Sequence, residues 1–313
     1  MASNRSSLTA VHTNSPSPVH MDSQTKLEIK PSNTHHPLTF YEYQSDTIST
    51  APKTCCETIV SHIIQFRKNH REFLAEFIGT FILVLLICGI SAEETLGIGV
   101  NRSWLTSSFG SGLAILIAIC VAGHVSGGHL NPAVTLTFWA FSGFPARKVP
   151  VYMAAQYLGA FTGAALLYAM IEPAISQFDH GDRQILGELG TAGIFGTYPP
   201  LYVGIGSAIA SEVVGTALLL LVIMVSGHPN NLPFRTVQGV MIAAGVVAIS
   251  LGLGYTSGFS INPARDLGPR LFTAIAGWGH EVFTVHHYYA LVPMFAPFLG
   301  GLIGGLVFTV FVD

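Results

Sequence analysis

The sequence predicts an all-α integral membrane protein with six transmembrane helices and two half-helices, arranged as an inverted 3+3 repeat. Three observations carry that prediction. First, half of the 313 residues are apolar and only 10% are Asp, Glu, Lys or Arg, whereas a soluble domain carries about 25% charged residues. Second, the deficit is uneven: 13 of the 31 charges lie in residues 1–72, leaving 18 for the 241 residues of 73–313. Third, the second half of the charge-poor region echoes the first. A net charge of −3 without a basic run speaks against nucleic-acid binding.

Residues 1–70 are expected to form a disordered cytoplasmic tail. Within it, 1–65 are rich in Ser, Thr, Pro, Asn and His and lack both long apolar periodicity and the apolar core of a signal peptide. The Ser-Pro pairs at Ser15 and Ser17 are candidate phosphorylation sites, set against a plain solvated tail. Four cysteines are too few and too badly spaced for a disulfide scaffold or a zinc site. Cys55 and Cys56 are candidates for palmitoylation, while Cys88 and Cys120 sit in apolar runs as inert core residues.

The membrane domain then occupies 71–313, with repeat halves at about 71–172 and 204–313. A helix needs about 20 residues to cross a hydrocarbon core of about 30 Å. The first span is placed at 73–92, where Glu76 is the one charge, and the second at 105–124, within a stretch from Ser103 to Ala146 that carries no Asp, Glu, Lys or Arg. The apolar piece near 131–141 is too short to cross and opens with Asn131-Pro132-Ala133. The third, fourth and fifth spans are placed at 150–171, 204–226 and 236–256. A second short piece near 262–273 opens with Asn262-Pro263-Ala264, and the sixth span follows at 289–312.

Lys and Arg give a weak orientation, with both termini in the cytoplasm. The inner flanks then hold Arg67, Lys68, Arg71, Arg147, Lys148 and Arg235, and the outer loops Arg102, Arg183, Arg265 and Arg270. On that placement Asn101-Arg102-Ser103 is an outer glycosylation sequon.

The repeat is explicit. AEFIGTFILV at 75–84 matches SEVVGTALLL at 210–219, placing Glu76 and Glu212 in register; HLNPAV at 129–134 matches SINPAR at 260–265; AQYLGAFTGA at 155–164 matches APFLGGLIGG at 296–305. The offsets, 135, 131 and 141, are nearly constant. Each half has an odd number of spans, so the second must be inverted. Inverted repeats place broken helices and a site near the midplane. Asn is a good N-cap and Pro suits the first helical position, so each motif starts a short helix. Both N-termini, partly positive, point at the midplane. The loops before them, His124 to Leu130 and Thr256 to Ile261, would offer carbonyl acceptors, and the Asn131 and Asn262 amides donors.

From about residue 70 onward, these motifs, the paired glutamates and Arg265 resemble the aquaporin, or major intrinsic protein, family. The resemblance implies an aquaporin-like fold, a homotetramer with one pore per subunit, and passive conduction of water, glycerol or other small neutral solutes; the plasma membrane is the expected location. It further resembles the glycerol-conducting branch, which has an acidic residue after the motif arginine and a basic one four positions on, here Asp266 and Arg270. That branch also has Pro then an aliphatic residue early in span six, here Pro293-Met294. By offset, the family's outer selectivity filter falls on Ser111, Ser250, Phe259 and Arg265. Ser111 departs from the pattern, standing where a bacterial glycerol facilitator has Trp. Either the filter is wider, or Phe109 fills the gap.

Glu76 and Glu212 are expected to brace the loops before the half-helices, against a proton relay. His129 would orient its loop; His124 is a solvated or structural His, set against a pH gate. Gly159, Gly163, Gly215 and Gly300 to Gly305 suggest close helix crossings. No catalytic constellation, cofactor motif or metal-ligand spacing is visible, so the chain is not expected to be an enzyme. The competing readings are a strict water channel, a secondary transporter, and a junctional protein with a closed pore.

Overall fold

The computed structural model describes residues 55–97 and 103–313. The candidate phosphorylation sites at Ser15 and Ser17 and the glycosylation sequon at Asn101 lie outside the described residues. Among the described residues, eight helices make up the body: α1 (Cys55–Leu96), α2 (Trp104–Ser126), α3 (Pro132–Phe141), α4 (Val149–Asp179), α5 (Ile205–Gly227), α7 (Gln238–Leu253), α8 (Pro263–Ile275) and α10 (Leu291–Phe311). One-turn pieces, α6 (Leu232–Arg235) and α9 (Val285–Tyr288), interrupt the connections. Among the described residues, six helices are long and apolar enough to cross a membrane, and α3 and α8 are short.

Several boundaries differ from the sequence expectation. Residues 55–70, assigned to the disordered tail, are helical, and α1 bends at His70, whose φ of −116° and ψ of 17° interrupt the helix. α4 runs on from 171 to Asp179, and α8 from 273 to Ile275. Hydropathy ends a span where charges arrive, but backbone hydrogen bonding continues past that point. The added turns of α4 carry Glu172 and Asp179, both paired with Arg183 at 2.9 and 2.7 Å.

Packing follows the repeat. Within the halves, α1 lies on α2 and α4 as α5 lies on α7 and α10; the halves join through α2 on α7, α4 on α8 and α10 on α3. Glycines permit the closest crossings. A Cβ at Gly163 would lie 2.7 Å from the Phe81 carbonyl oxygen, and Gly159 meets the carbonyl of Phe77 in the same way. In the other half Gly300 and Gly304 meet the carbonyls of Val213 and Ala217. α2 shows the reversed amphipathicity of a lipid-facing helix. Ser108, Gly112, Ala118 and Ala122 are buried, whereas Leu105, Phe109, Leu113 and Ile117 face outward.

Candidate functional site

The two Asn-Pro-Ala motifs meet at the centre. Asn131 caps α3, its side-chain oxygen accepting from Ala133 N at 2.9 Å, and Asn262 caps α8 by accepting from Ala264 N at 3.0 Å and Arg265 N at 3.3 Å. Pro132 and Pro263 occupy the first helical positions, where no N–H is required. Each amide then crosses to the other half: Asn131 Nδ2 donates to the Ile261 carbonyl and Asn262 Nδ2 to the Leu130 carbonyl, both at 2.9 Å. A carboxamide has two N–H donors, so this cross-brace uses one on each Asn.

Leu130 and Ile261, immediately before the two asparagines, hold φ angles of 53° and 42°. A bulky or β-branched side chain rarely adopts that region, at a cost of about 1–3 kcal/mol. The surroundings over-determine it. Glu76 accepts from Leu130 N at 2.7 Å and His129 N at 2.9 Å, as well as from Ser126 Oγ at 2.6 Å and Gln156 Nε2 at 2.8 Å. Glu212 accepts from Ile261 N at 2.7 Å and Ser260 N at 2.9 Å. Both glutamates are fully buried, and these donors are what a buried carboxylate requires. The repeat extends to the glycine three residues after each Glu. A Cβ on Gly79 would strike the Leu130 side chain at 2.6 Å, and one on Gly215 would press on Ile261 at 3.1 Å. Gly215, expected at a helix crossing, receives that loop residue as well as Ile249 of α7, whose Cγ2 would lie 3.4 Å from the added Cβ.

A cavity of about 530 Å³ runs past both asparagines. At one end its wall includes Glu94, Trp104, Ser107, Ser111, Ser250, Phe259 and Arg265; at the other it includes His129, His228, Arg235 and Phe308. Ser111, Ser250, Phe259 and Arg265 are therefore brought to one cavity. Arg265 is buried and Nη1 donates to the Phe195 carbonyl at 3.1 Å. Phe109 does not fill the space beside Ser111: it is 55% exposed on the outward face of α2. His124 is likewise exposed and outside the cavity wall. His129 stacks on Phe138 at 5.0 Å and its Nδ1 lies 3.1 Å from Thr135 Oγ1, which fixes its ring against α3. At the far end His228 Nε2 is 2.9 Å from Asp313.

Asp266 and Arg270 stand apart from the cavity. They form a fully buried pair at 2.7 Å, one turn apart on α8. Asp266 Oδ2 also accepts from Thr197 N at 2.8 Å and Thr197 Oγ1 at 2.7 Å. Arg270 donates to the carbonyls of Val282 at 2.8 Å and Thr197 at 2.7 Å, and lies 4.5 Å from the Tyr198 ring. Burial pushes the Tyr198 phenol up to about 12, so it stays neutral beside the guanidinium. The pair pins the α4–α5 and α8–α10 connections over α8. Pro293 and Met294 lie in the first turn of α10, also off the cavity wall.

Sequence reasoning missed three groups: Trp104, the Glu94–Ser107 hydrogen bond, and Thr197. Trp104, Ser107 and Ser111 share the i, i+3, i+7 face of α2, a spacing that the sequence displays.

A model of the family described as "Major intrinsic protein" matches residues 63–308. A protein named Aquaporin-2 from Rhizopus delemar is 72% identical over 281 residues, 90% of this chain and 89% of that protein. Aquaglyceroporin-2 from Rhizophagus irregularis is 46% identical over 79% of this chain and 78% of its own length, and human Aquaporin-9 is 41% identical over 78% and 83%. Among solved structures, the X-ray structure of the aquaglyceroporin from Plasmodium falciparum superposes with a TM-score of 0.70 at 31% identity, covering 77% of this chain and 96% of that one.

Proposed function

The chain belongs to the major intrinsic protein family, and we propose that it is a passive channel for water and glycerol that admits other small neutral solutes and excludes ions and protons. The observation that carries the glycerol reading is the two-sided wall around Arg265. Phe259 and Trp104 contribute aromatic surface, while Ser107, Ser111 and the Arg265 guanidinium contribute polar groups to the same cavity. A polyol has the same division, with a carbon backbone on one side and hydroxyls on the other. The relatives named aquaglyceroporin support this reading.

In the mechanism we propose, a solute trades hydrogen bonds to water for bonds to the guanidinium and the loop carbonyls, then meets the remaining amide hydrogens of Asn131 and Asn262. A cation meets Arg265 and two helix N-termini, each worth about half a positive charge. Glu76 and Glu212 hold the loops in place without exchanging protons with the solvent. We further propose a homotetramer in the plasma membrane with both termini cytoplasmic, and no catalytic activity.

The test is stopped-flow light scattering on proteoliposomes under water and glycerol gradients. Fast flux of both, with low activation energy and no ion dependence, is expected. Fast water without glycerol would make it a strict water channel. Saturable, ion-dependent flux would make it a transporter, and flux no greater than that of empty vesicles a closed junctional protein.

A further inference from the structure

The offset that aligns the filter leaves a serine, Ser111, where a large ring would stand, and Phe109 points away from the cavity. An indole at the start of α2, that of Trp104, lines the same cavity. Trp104 lies seven residues before Ser111, two turns along the same helix face and about 10 Å in rise. Its Nε1 donates to the Ser250 carbonyl at 2.9 Å. The ring reaches over Gly254, where a Cβ would meet Trp104 Cζ2 at 2.6 Å and Phe259 Cβ at 3.0 Å. Gly254 is thus a notch in which the indole lies beside Phe259. Ser108 reinforces the position: its hydroxyl donates to the Trp104 carbonyl at 2.7 Å and lies 2.8 Å from Ser250 Oγ. The indole nitrogen is therefore tied to one of the filter residues themselves, and all of Trp104, Ser250, Phe259 and Arg265 line the one cavity.

We propose that Trp104 is a specificity-determining residue, its indole forming with Phe259 the aromatic wall that sets the size limit for solutes at the Arg265 end. This rests on the reading of the cavity as the solute path. The serine at 111 does not then leave an open filter. The narrow point moves toward the Arg265 mouth, and Ser111 and Ser107 line a polar side below and beside the ring.

The experiment measures glycerol, erythritol and xylitol permeability, each as a ratio to water permeability, in proteoliposomes of wild type, Trp104→Ala, Trp104→Phe and Gly254→Ala. Removing the ring is expected to raise the erythritol and xylitol ratios about tenfold, the scale at which a missing apolar group relaxes discrimination. Trp104→Phe should return them most of the way to wild type. Gly254→Ala should push the indole out of its notch into the path and lower the glycerol ratio, the opposite direction. A purely structural role for Trp104 would lower all fluxes together and leave the ratios alone, and that result would overturn the proposal. If Trp104→Ala yields no conducting protein, the Gly254→Ala ratio decides: no fall means that the indole is not the wall. Wild-type vesicles that pass water but no glycerol would sink the glycerol reading alone. A polyol flux gained by Trp104→Ala would still support the indole as the barrier, and none gained would overturn it.

Discussion

At the scale of single residues, the Asp266–Arg270 pair has a structural consequence that its position in the sequence does not reveal. Asp266 and Arg270 were legible as an acidic and a basic residue four apart after the motif arginine. Their partners were not, because Thr197 and Val282 come from connections whose course depends on tertiary packing. Both charges are fully buried, and each satisfies the other. Breaking such a pair from one side leaves an uncompensated charge and costs about 3–5 kcal/mol, whereas removing both partners costs much less. Asp266→Ala is therefore expected to lower thermal stability sharply. Asp266→Ala combined with Arg270→Met should recover much of that loss, since hydrophobic replacement removes the stranded guanidinium. Unfolding in detergent, followed by loss of the monodisperse peak on heating, checks both. A double variant no more stable than the single one would refute the account.

At the scale of elements, the sequence showed where helices cross the membrane better than where they end. Apolar runs report the hydrocarbon slab, so α1 and α4 overrun their expected limits, continuing as helix where charged side chains reach water or one another. The glycines at 159, 163, 300 and 304 were readable as crossings from their four-residue spacing. Which carbonyl each would face was not, because that depends on rotation about the helix axis. The backbone approach makes a sharp prediction. Gly163→Ala and Gly304→Ala place a methyl against the carbonyls of Phe81 and Ala217, which as backbone cannot rotate away. Overpacking of this kind costs about 1–3 kcal/mol. Gly206→Ala, also in a helix but with nothing within 4 Å of the added Cβ, should be neutral or stabilising by about 0.5–1 kcal/mol. The same thermal assay distinguishes them; equal effects at all three positions would mean that close crossing is not what these glycines provide.

At the scale of the whole molecule, the duplication was visible in three matched segments, but its closure was not. Leu130 gives its N–H to Glu76 and its carbonyl to Asn262; Ile261 gives its N–H to Glu212 and its carbonyl to Asn131. Each half thus completes the other's strained loop, an arrangement that depends on inversion bringing two distant loops face to face. The same inversion sums two helix N-termini at the centre, contributing together about one positive charge. Arg265 adds a full charge whose guanidinium donates to the neutral Phe195 carbonyl, whereas Arg270 and Arg183 are offset by Asp266 and Asp179. A unit charge about 4 Å away, at an effective dielectric near 20, is worth about 4 kcal/mol, or about a thousandfold in cation flux. Arg265→Ala should therefore raise proton and monovalent-cation leak by as much as that while remaining far below water flux, because the half-helix ends stay in place. Vesicles loaded with a pH-sensitive dye, with water permeability measured on the same preparation, provide the comparison. A leak equal to wild type would assign exclusion to the helix ends and asparagines alone, and a leak approaching water flux would assign it to the arginine alone.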